Sequence, residues 1–219
     1  AYTVNLSDVK SARRADAEYY QPKYQKPIEK VKKHNVRLLG DLVSIKKGVE
    51  PGSDAYEDEG KLFIRVSSVS KHGIIDKDQK CLSDELYQTL RKLFEPKVGE
   101  ILRTKDATPG IAYVLKEPAE GIISGGITRL KLKEDIEAEY LALCINSVIG
   151  QMQIERDAGG SVIIHWKPEQ IRNLHVPILS QPTQQKIADL VRQSHEARKT
   201  AKELLEKAKR EVEELIEKK

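Results

Sequence analysis

The sequence predicts an α+β fold, in which a mixed-sheet domain is followed by a long C-terminal coiled-coil helix. Short apolar runs of strand length alternate with turn residues through the middle of the chain. A core helix is indicated over residues 136–157, and no Pro or Gly follows Pro182. We therefore divide the chain into a helical or irregular segment over 1–35, a domain over 36–179 and a long helix over 180–219.

The elements are predicted in chain order from residues that start or end helices and strands and from the spacing of apolar residues. Pro22 and Pro27 leave room only for a short or kinked helix that ends near Lys33. The stretch LLGDLVSIKKG predicts a short helix and then a strand, and Ser83 with its two acidic neighbours predicts a helix over 83–93. Further strands are predicted in KLFIRV, GEILRTK, IAYVLK, GITRLKLK and SVIIHW, with a helical turn at Pro168 and an exit through LHVPIL.

A heptad pattern in the last segment predicts a coiled-coil interface. Apolar and small residues recur in alternating steps of three and four, which are the a and d positions of a heptad. The interface residues are Ile187, Leu190, Ala197, Ala201, Leu204, Ala208 and Leu215. A helix of this length would extend roughly 55 Å at about 1.5 Å per residue, more than its own domain can cover. It therefore predicts a partner, and a surface helix folded back on its own domain is the alternative.

Composition limits the class of protein. With 39% hydrophobic and 33% charged residues, the chain has a globular composition with a charged extension. No apolar run approaches the roughly 20 residues that span a bilayer, and the N-terminus lacks a secretory layout. Cys81 and Cys144 lie far apart without paired spacing, which indicates a reducing compartment. We expect a cytoplasmic protein without a membrane contact, a disulfide or a zinc site.

Common catalytic motifs are missing from the sequence. It contains neither an Asn/Asp-Pro-Pro-aromatic methylase motif nor a GxxxxGK[ST] phosphate loop. No glycine-rich cofactor loop follows a predicted strand, and the five histidines lack metal-ligand spacing. We therefore expect a protein that is not an enzyme and that needs no cofactor or metal.

Five phrases in a fixed order resemble the specificity subunit of type I restriction-modification systems. They are KLFIRVSSV, VGEILRT, GIISGGITRLKL, AGGSVIIHWKPEQIRNLHVPIL and QPTQQKIADLV, the last of which opens the long helix. The resemblance covers residues 36–219, and RRADAEYYQPKY is similar to segments that precede such domains, including in fused adenine-N6 DNA methylases. HVPIL lacks a second proline and QPTQQ replaces a common Glu-Gln pair, which leaves the details of partner docking open.

The resemblance implies a DNA target recognition domain that reads one half of a bipartite sequence. The long helix would then be a spacer that docks the methyltransferase (M) subunit, with the restriction (R) subunit as a possible further partner. Because a full specificity subunit resembles two such units in tandem, we expect a homodimer through the long helix or pairing with a second half. Two alternatives stay open, the recognition domain of a fused DNA methylase and a coiled-coil scaffold that binds protein.

Polar and basic residues at the ends of predicted strands are the candidates for double-stranded DNA. Base edges are read by Arg, Lys, Asn, Gln, Ser and Thr, whereas phosphates need Lys, Arg and backbone N–H groups. The candidates are Lys46, Lys47, Arg65, Ser67, Ser68, Lys71, His72, Arg103, Lys105, Thr108, Arg129, Gly159, Gly160, Ser161, His165 and Lys167. Residues 40–182 hold 19 basic against 22 acidic residues, so DNA binding requires the basic ones to cluster. The glycine pair fits either a phosphate clamp or a simple helix stop.

Overall fold

The computed structural model describes residues 2–75, 79–159 and 166–217. Its helices are α1 (Leu6–Ala12), α2 (Pro22–Lys32), α3 (Leu39–Leu42), α4 (Asp84–Phe94), α5 (Ala138–Asn146), α6 (Val148–Ala158), α7 (Pro168–Arg172) and α8 (Gln181–Glu217). Its strands are β1 (Val36–Leu38), β2 (Val43–Lys47), β3 (Lys61–Ile64), β4 (Val69–Ser70), β5 (Gly73–Ile74), β6 (Lys80–Leu82), β7 (Ile101–Thr104), β8 (Ala112–Val114), β9 (Gly121–Ile123), β10 (Ile127–Leu132) and β11 (His175–Pro177). This mixture confirms the predicted α+β class.

The strands form two main sheets that pack against each other. The larger sheet is antiparallel in the order β2-β10-β7-β8. The smaller one has the order β6-β3-β9, in which β3 runs parallel to β9 and antiparallel to β6. Two-stranded ladders join β1 to β11 and β4 to β5, and neither β1 nor β9 was predicted from the sequence.

The smaller sheet is buried on both faces, which explains the continuous apolar character of its strands. Successive side chains of a strand point to opposite faces. Phe63 and Ile122 accordingly pack with Tyr87 of α4, whereas Ile64 and Ile123 pack with Leu102 of the larger sheet. The opposite face of the larger sheet packs on α3, α5, α6 and α7, with Trp166 in that core. Trp166 lies just before α7 and is buried.

The predicted single helix over 136–157 is wrong, because Ser147 separates it into α5 and α6. Ser147 has an extended backbone with φ −67° and ψ 159°, and its hydroxyl accepts a 3.1 Å hydrogen bond from the Gly150 amide. This is an N-cap, which satisfies one of the free amides at the start of α6. The shared apolar face of the two helices hid this local signal, since both halves bury the same side against the sheet.

The N-terminal segment packs on α6. The Tyr24 hydroxyl donates to Glu155 at 2.7 Å, and Arg14 donates to the carbonyls of Asp157 and Gly159 at 2.7 and 3.1 Å. Arg14 therefore satisfies free carbonyls at the C-terminal end of α6, where a cation is also favoured by the helix dipole. Tyr20 and Tyr24 are buried and help to attach this segment to the body.

The long helix is confirmed, but its two halves lie in different environments. Gln184 and Ala188 are buried against the body, and Ile187 packs on its core. Assigning Ile187 to a coiled-coil interface therefore needs correction, since this side chain contacts its own domain. From Ala201 to Glu217 every residue is exposed.

Candidate nucleic-acid interface

A cleft opens where strands of both sheets end. It has a volume of about 610 Å³. Its lining consists of Glu50, Tyr56, Arg65, Val66, Ser67, Val69, Asp106, Ala107, Thr108, Ile111, Ser124 and Gly126. Ligand sites in proteins commonly measure about 300–1,000 Å³, so the cleft is large enough to admit part of a ligand.

Backbone hydrogen bonds draw three chain segments together at this cleft. The Ser124 amide donates to the Ile64 carbonyl at 2.9 Å, and the Val49 amide donates to the Ile123 carbonyl at 3.1 Å. Gly48 makes this approach possible, because a Cβ at its position would lie 2.2 Å from the carbonyl oxygens of Ile123 and Ser124. The chain after β2 therefore crosses directly over the end of β9.

The charged side chains of the lining have mixed signs. Glu50 lies across the turn after β9, since a Cβ on Gly125 would be 3.0 Å from its Cγ and Oε1 atoms. Arg65 lies at the end of β3. Asp106 follows β7 and forms an ion pair with Lys105. A carboxylate repels a phosphate but accepts hydrogen bonds from base amino groups. The lining therefore suits the edges of bases better than the DNA backbone.

Three of the predicted DNA-binding residues line this cleft, namely Arg65, Ser67 and Thr108. Lys46 and Lys47 are exposed at the end of β2, which leads directly into the Gly48 crossing. The structure thus brings these five residues to one region of the surface.

Four other candidates are exposed or half-buried at separate positions. Lys71 and His72 form the tip of the β4–β5 hairpin, where the His72 ring lies 6.3 Å from the His195 ring of α8. Lys167 precedes α7 and is exposed. Lys105 has only 20% of its side chain exposed and pairs with Asp106, so it does not present a free cation to a phosphate.

Burial removes three candidates from direct contact with DNA in this structure. Ser68 and Arg103 have no exposed surface, and Arg129 is 5% exposed. Arg129 donates to the carbonyls of Glu95 and, at 2.6 Å, Leu93, so it holds the end of α4 onto the sheet. The prediction that Ser68, Arg103 and Arg129 contact DNA therefore needs correction, because their side chains are buried inside the domain.

Arg103 is a buried cation with an unusual environment. Its Nε donates to Thr128 Oγ1 at 3.1 Å, and its guanidinium lies 4.2 Å from the centre of the Trp166 ring. Within the described ranges its two terminal nitrogens contact no acceptor. Burial lowers the pKa of Arg103 to about 9, because removal from water disfavours the charged form. The indole face offsets part of that cost through a cation–π contact.

The predicted glycine clamp falls mainly beyond the described residues. Gly160, Ser161 and His165 lie outside them, as does the predicted strand SVIIHW up to its tryptophan. Gly159 is described, and its amide donates to the Glu155 carbonyl at 3.0 Å. That contact ends α6, which is the simpler of the two interpretations of this glycine pair.

Several cleft residues were not identified from the sequence. They are Glu50, Tyr56, Asp106, Ala107 and Ser124, together with the apolar side chains and Gly126. Glu50 and Asp106 are acidic, whereas a DNA surface is expected to be basic, so residue type alone does not identify them. The phrase ISGGIT was the available signal, since its adjacent glycines mark the turn on which Glu50 rests.

No cluster of three or more His, Cys, Asp or Glu side chains with metal-binding geometry occurs in residues 2–75, 79–159 and 166–217. Over the same ranges, no helix combines the length and apolarity that crossing a bilayer requires.

The described residues form an α+β domain with a cleft at its strand ends and a long C-terminal helix whose last part is exposed. A family model for the type I restriction modification DNA specificity domain matches residues 31–210. The chain therefore belongs to this family, as its resemblance indicated. No curated protein matches the chain.

Solved structures share this fold at low sequence identity. The S subunit of the M. genitalium type I restriction-modification system is 15% identical with a TM-score of 0.52, over 71% of this chain and 37% of that one. A structure on complex assembly and conformational transition of the type I R-M system is 15% identical with a TM-score of 0.55, over 96% and 53%. The type IIG restriction endonuclease BpuSI is 11% identical with a TM-score of 0.56, over 85% and 30%. The chain thus spans only a third to a half of the length of these proteins.

Proposed function

We propose that this chain is a non-catalytic DNA-binding unit that gives a type I restriction-modification complex its sequence specificity. The observation that carries the proposal is the family match over residues 31–210, which includes every strand that lines the cleft. Residues 36–179 act as the target recognition domain, and the cleft with Lys46 and Lys47 beside it faces DNA. Its cations bind phosphates and its polar lining reads bases.

The domain reads one half of a bipartite target, and the long helix sets the distance to the other half. A second copy, or a second recognition half, pairs with the exposed end of α8 in an antiparallel arrangement, which places two domains at opposite ends of the pair. At about 1.5 Å per residue, α8 is roughly 55 Å long, and about 34–36 Å is one turn of B-DNA. The unread spacer then covers one to two turns.

The same helix, with the body around it, docks an adenine-N6 methyltransferase (M) subunit, and the restriction (R) subunit joins through that complex. A recognition domain fused behind a methylase would use the same DNA surface. The reading frame upstream of Ala1 distinguishes these two arrangements, since a fused enzyme requires a methylase sequence there.

A methylome tests the proposal directly. A host that expresses this chain with the methylase encoded beside it should gain N6-methyladenine in one interrupted motif, and the methylase without this chain should not. Methylation without a motif would contradict the proposal. Purified complex should bind that motif in preference to other duplexes, with affinity that falls steeply as salt rises.

The spacer model has its own test. Deletion of one heptad between Ala197 and Ala208 shortens the helix by about 10.5 Å and keeps its apolar face in phase. The methylated motif should keep both half-sites and lose about three base pairs of spacer, given about 3.4 Å per base pair. A change in the half-site letters would contradict the spacer model.

A further inference from the structure

The helix α2 carries a row of lysines on one face. Lys26, Lys30 and Lys33, the last of which is the C-cap residue, are exposed and follow one another at steps of four and three residues. In the described part of the chain, none of these three ammonium groups forms an ion pair. The helix dipole favours cations only in the last turn, so it does not account for Lys26. We call these three residues the lysine stripe.

The direction of the lysine stripe is determined by the packing of α2 on the body. The buried residues of α2 are Tyr24, Ile28 and Val31. With 3.6 residues per turn, these side chains point to nearly the opposite side of the helix from the stripe. The body therefore fixes the helix and turns the whole stripe towards solvent.

The helix α6 connects α2 to the cleft. Gln151 of α6 donates at 2.9 Å to the carbonyl of Gly110, in the loop between β7 and β8 that lines the cleft. One helical turn further along α6, Glu155 accepts from the Lys23 ammonium at 2.9 Å. Lys23 lies at the start of α2, one turn before the stripe begins. The stripe therefore leads away from a point about one helical turn, roughly 5.4 Å, from the cleft loop.

The charge of the rest of the domain does not attract a polyanion. Residues 40–182 hold 19 basic against 22 acidic residues, whereas residues 1–39 hold nine against four. Cations of the domain such as Lys61 and Lys80 are also neutralised by carboxylates, at 2.9 Å in both cases. Because phosphate neutralisation supplies essentially all of the sequence-independent affinity for DNA, such a domain needs a concentrated source of positive charge. The lysine stripe is such a source.

We propose that the lysine stripe binds the phosphates of the DNA next to the half-site that faces the cleft. The inference rests on the proposed function and adds to it a second DNA surface, which contributes affinity without sequence preference. Lys26 and Lys33 are about 10.5 Å apart along the helix axis, and one DNA strand presents about three phosphates over that distance at about 3.4 Å each. The stripe thus offers one ammonium group for each phosphate.

The test measures the salt dependence of DNA binding by the full chain in complex with its methylase. Each lost phosphate contact lowers the slope of log K against log salt by about 0.9, so Lys26→Gln, Lys30→Gln and Lys33→Gln together should lower it by about 2.7. When salt falls from about 200 to about 50 mM, this triple variant should gain about 40-fold less affinity than wild type. The loss should be equal for a duplex with the target motif and for an unrelated duplex, since phosphates carry no sequence information.

A matched pair of single variants separates the stripe from net charge. Lys30 and Lys32 are both exposed on α2, but Lys32 lies on the flank of the helix, where its charge acts on His175 of β11. Lys30→Gln should lower the slope by about 0.9, whereas Lys30→Arg and Lys32→Gln should keep it. Thermal melting checks that every variant folds.

Three results would contradict the inference and leave the proposed function standing, provided that wild type prefers its motif. The triple variant could keep the wild-type slope, or Lys32→Gln could lower the slope as much as Lys30→Gln does, which net charge alone would explain. In the third case the triple variant fails to assemble with the methylase in sedimentation, so that the stripe binds protein and not DNA. Failure of wild type to prefer any motif would overturn both the inference and the proposed function.

Discussion

The exposed end of α8 should pair with a second helix through its leucines, and their exposure in the structure gives the free energy that pairing contributes. Leu204 and Leu215 keep 63% and 71% of their surface exposed. They occupy heptad positions in the predicted interface, on a stretch where every residue from Ala201 to Glu217 is exposed. Two leucines per chain are therefore available to a partner without any rearrangement of the body.

The magnitude follows from the surface that pairing would bury. Full burial of a leucine side chain contributes about 1.5–3 kcal/mol, so burial of the exposed two thirds contributes about 1–2 kcal/mol. A pair of helices contains four such side chains, and alanine retains a part of each contribution. Leu204→Ala with Leu215→Ala should therefore cost the pair about 3–6 kcal/mol, which weakens its dissociation constant at least about 100-fold.

Sedimentation equilibrium over a range of protein concentrations measures this association. The matched control is Glu206→Ala with Glu213→Ala, because these residues lie on the opposite face of the same stretch, outside the a and d positions. The control should pair like wild type, and both double variants should melt like wild type when monomeric. A wild-type chain that stays monomeric, or a leucine variant that pairs normally, would refute the reasoning.

Three further predictions concern the interior, the helix junction and the proposed DNA surface. Arg129→Met should lower the free energy of unfolding by about 3–5 kcal/mol in urea titrations, because the Glu100 carboxylate and the carbonyls of Leu93 and Glu95 lose their buried partner, whereas Lys131→Met on the same strand should change it little. Burial first, and then Lys116 and His72, lower the pKa of His195, so protonation favours the unfolded chain. Stability should therefore fall from about pH 7 to about pH 5, and His195→Gln should show a smaller fall. Lys46→Gln with Lys47→Gln should weaken binding to all duplexes and reduce the salt slope by about 2.

Local sequence signals predicted most of the elements that lie around the cleft. The Ser83 cap was found because its hydroxyl, which accepts from the Leu86 amide at 3.2 Å, depends on near neighbours alone. The long helix was found for a similar reason, since uninterrupted periodicity is a local property. The Ser147 cap was missed because its flanking residues kept the same apolar face.

Pairing between strands that are distant in sequence decides which side chains line the cleft, and the sequence alone does not reveal it. Arg65 and Arg129 both lie in predicted strand segments, yet one lines the cleft and the other is buried beneath the end of α4. Which face is covered depends on helices that are distant in sequence. Glu50 and Asp106 likewise line one cleft because β2 and β7 both pair with β10. Their positions therefore follow from topology and not from residue type.

The first half of α8 is attached to the body, whereas its last part is exposed. Arg192 donates to Glu137 at 2.6 Å and to Glu139 at 3.1 Å, which ties the helix to the start of α5. Burial opposes ionisation of Glu139, but hydrogen bonds from Lys116 and Arg192 still hold its pKa below the usual value. A helix can set a distance between two domains only if one of its ends is fixed to one of them. The ion pairs and the core contact of Ile187 provide that fixed end, so the direction of the helix is determined by the body before any partner binds.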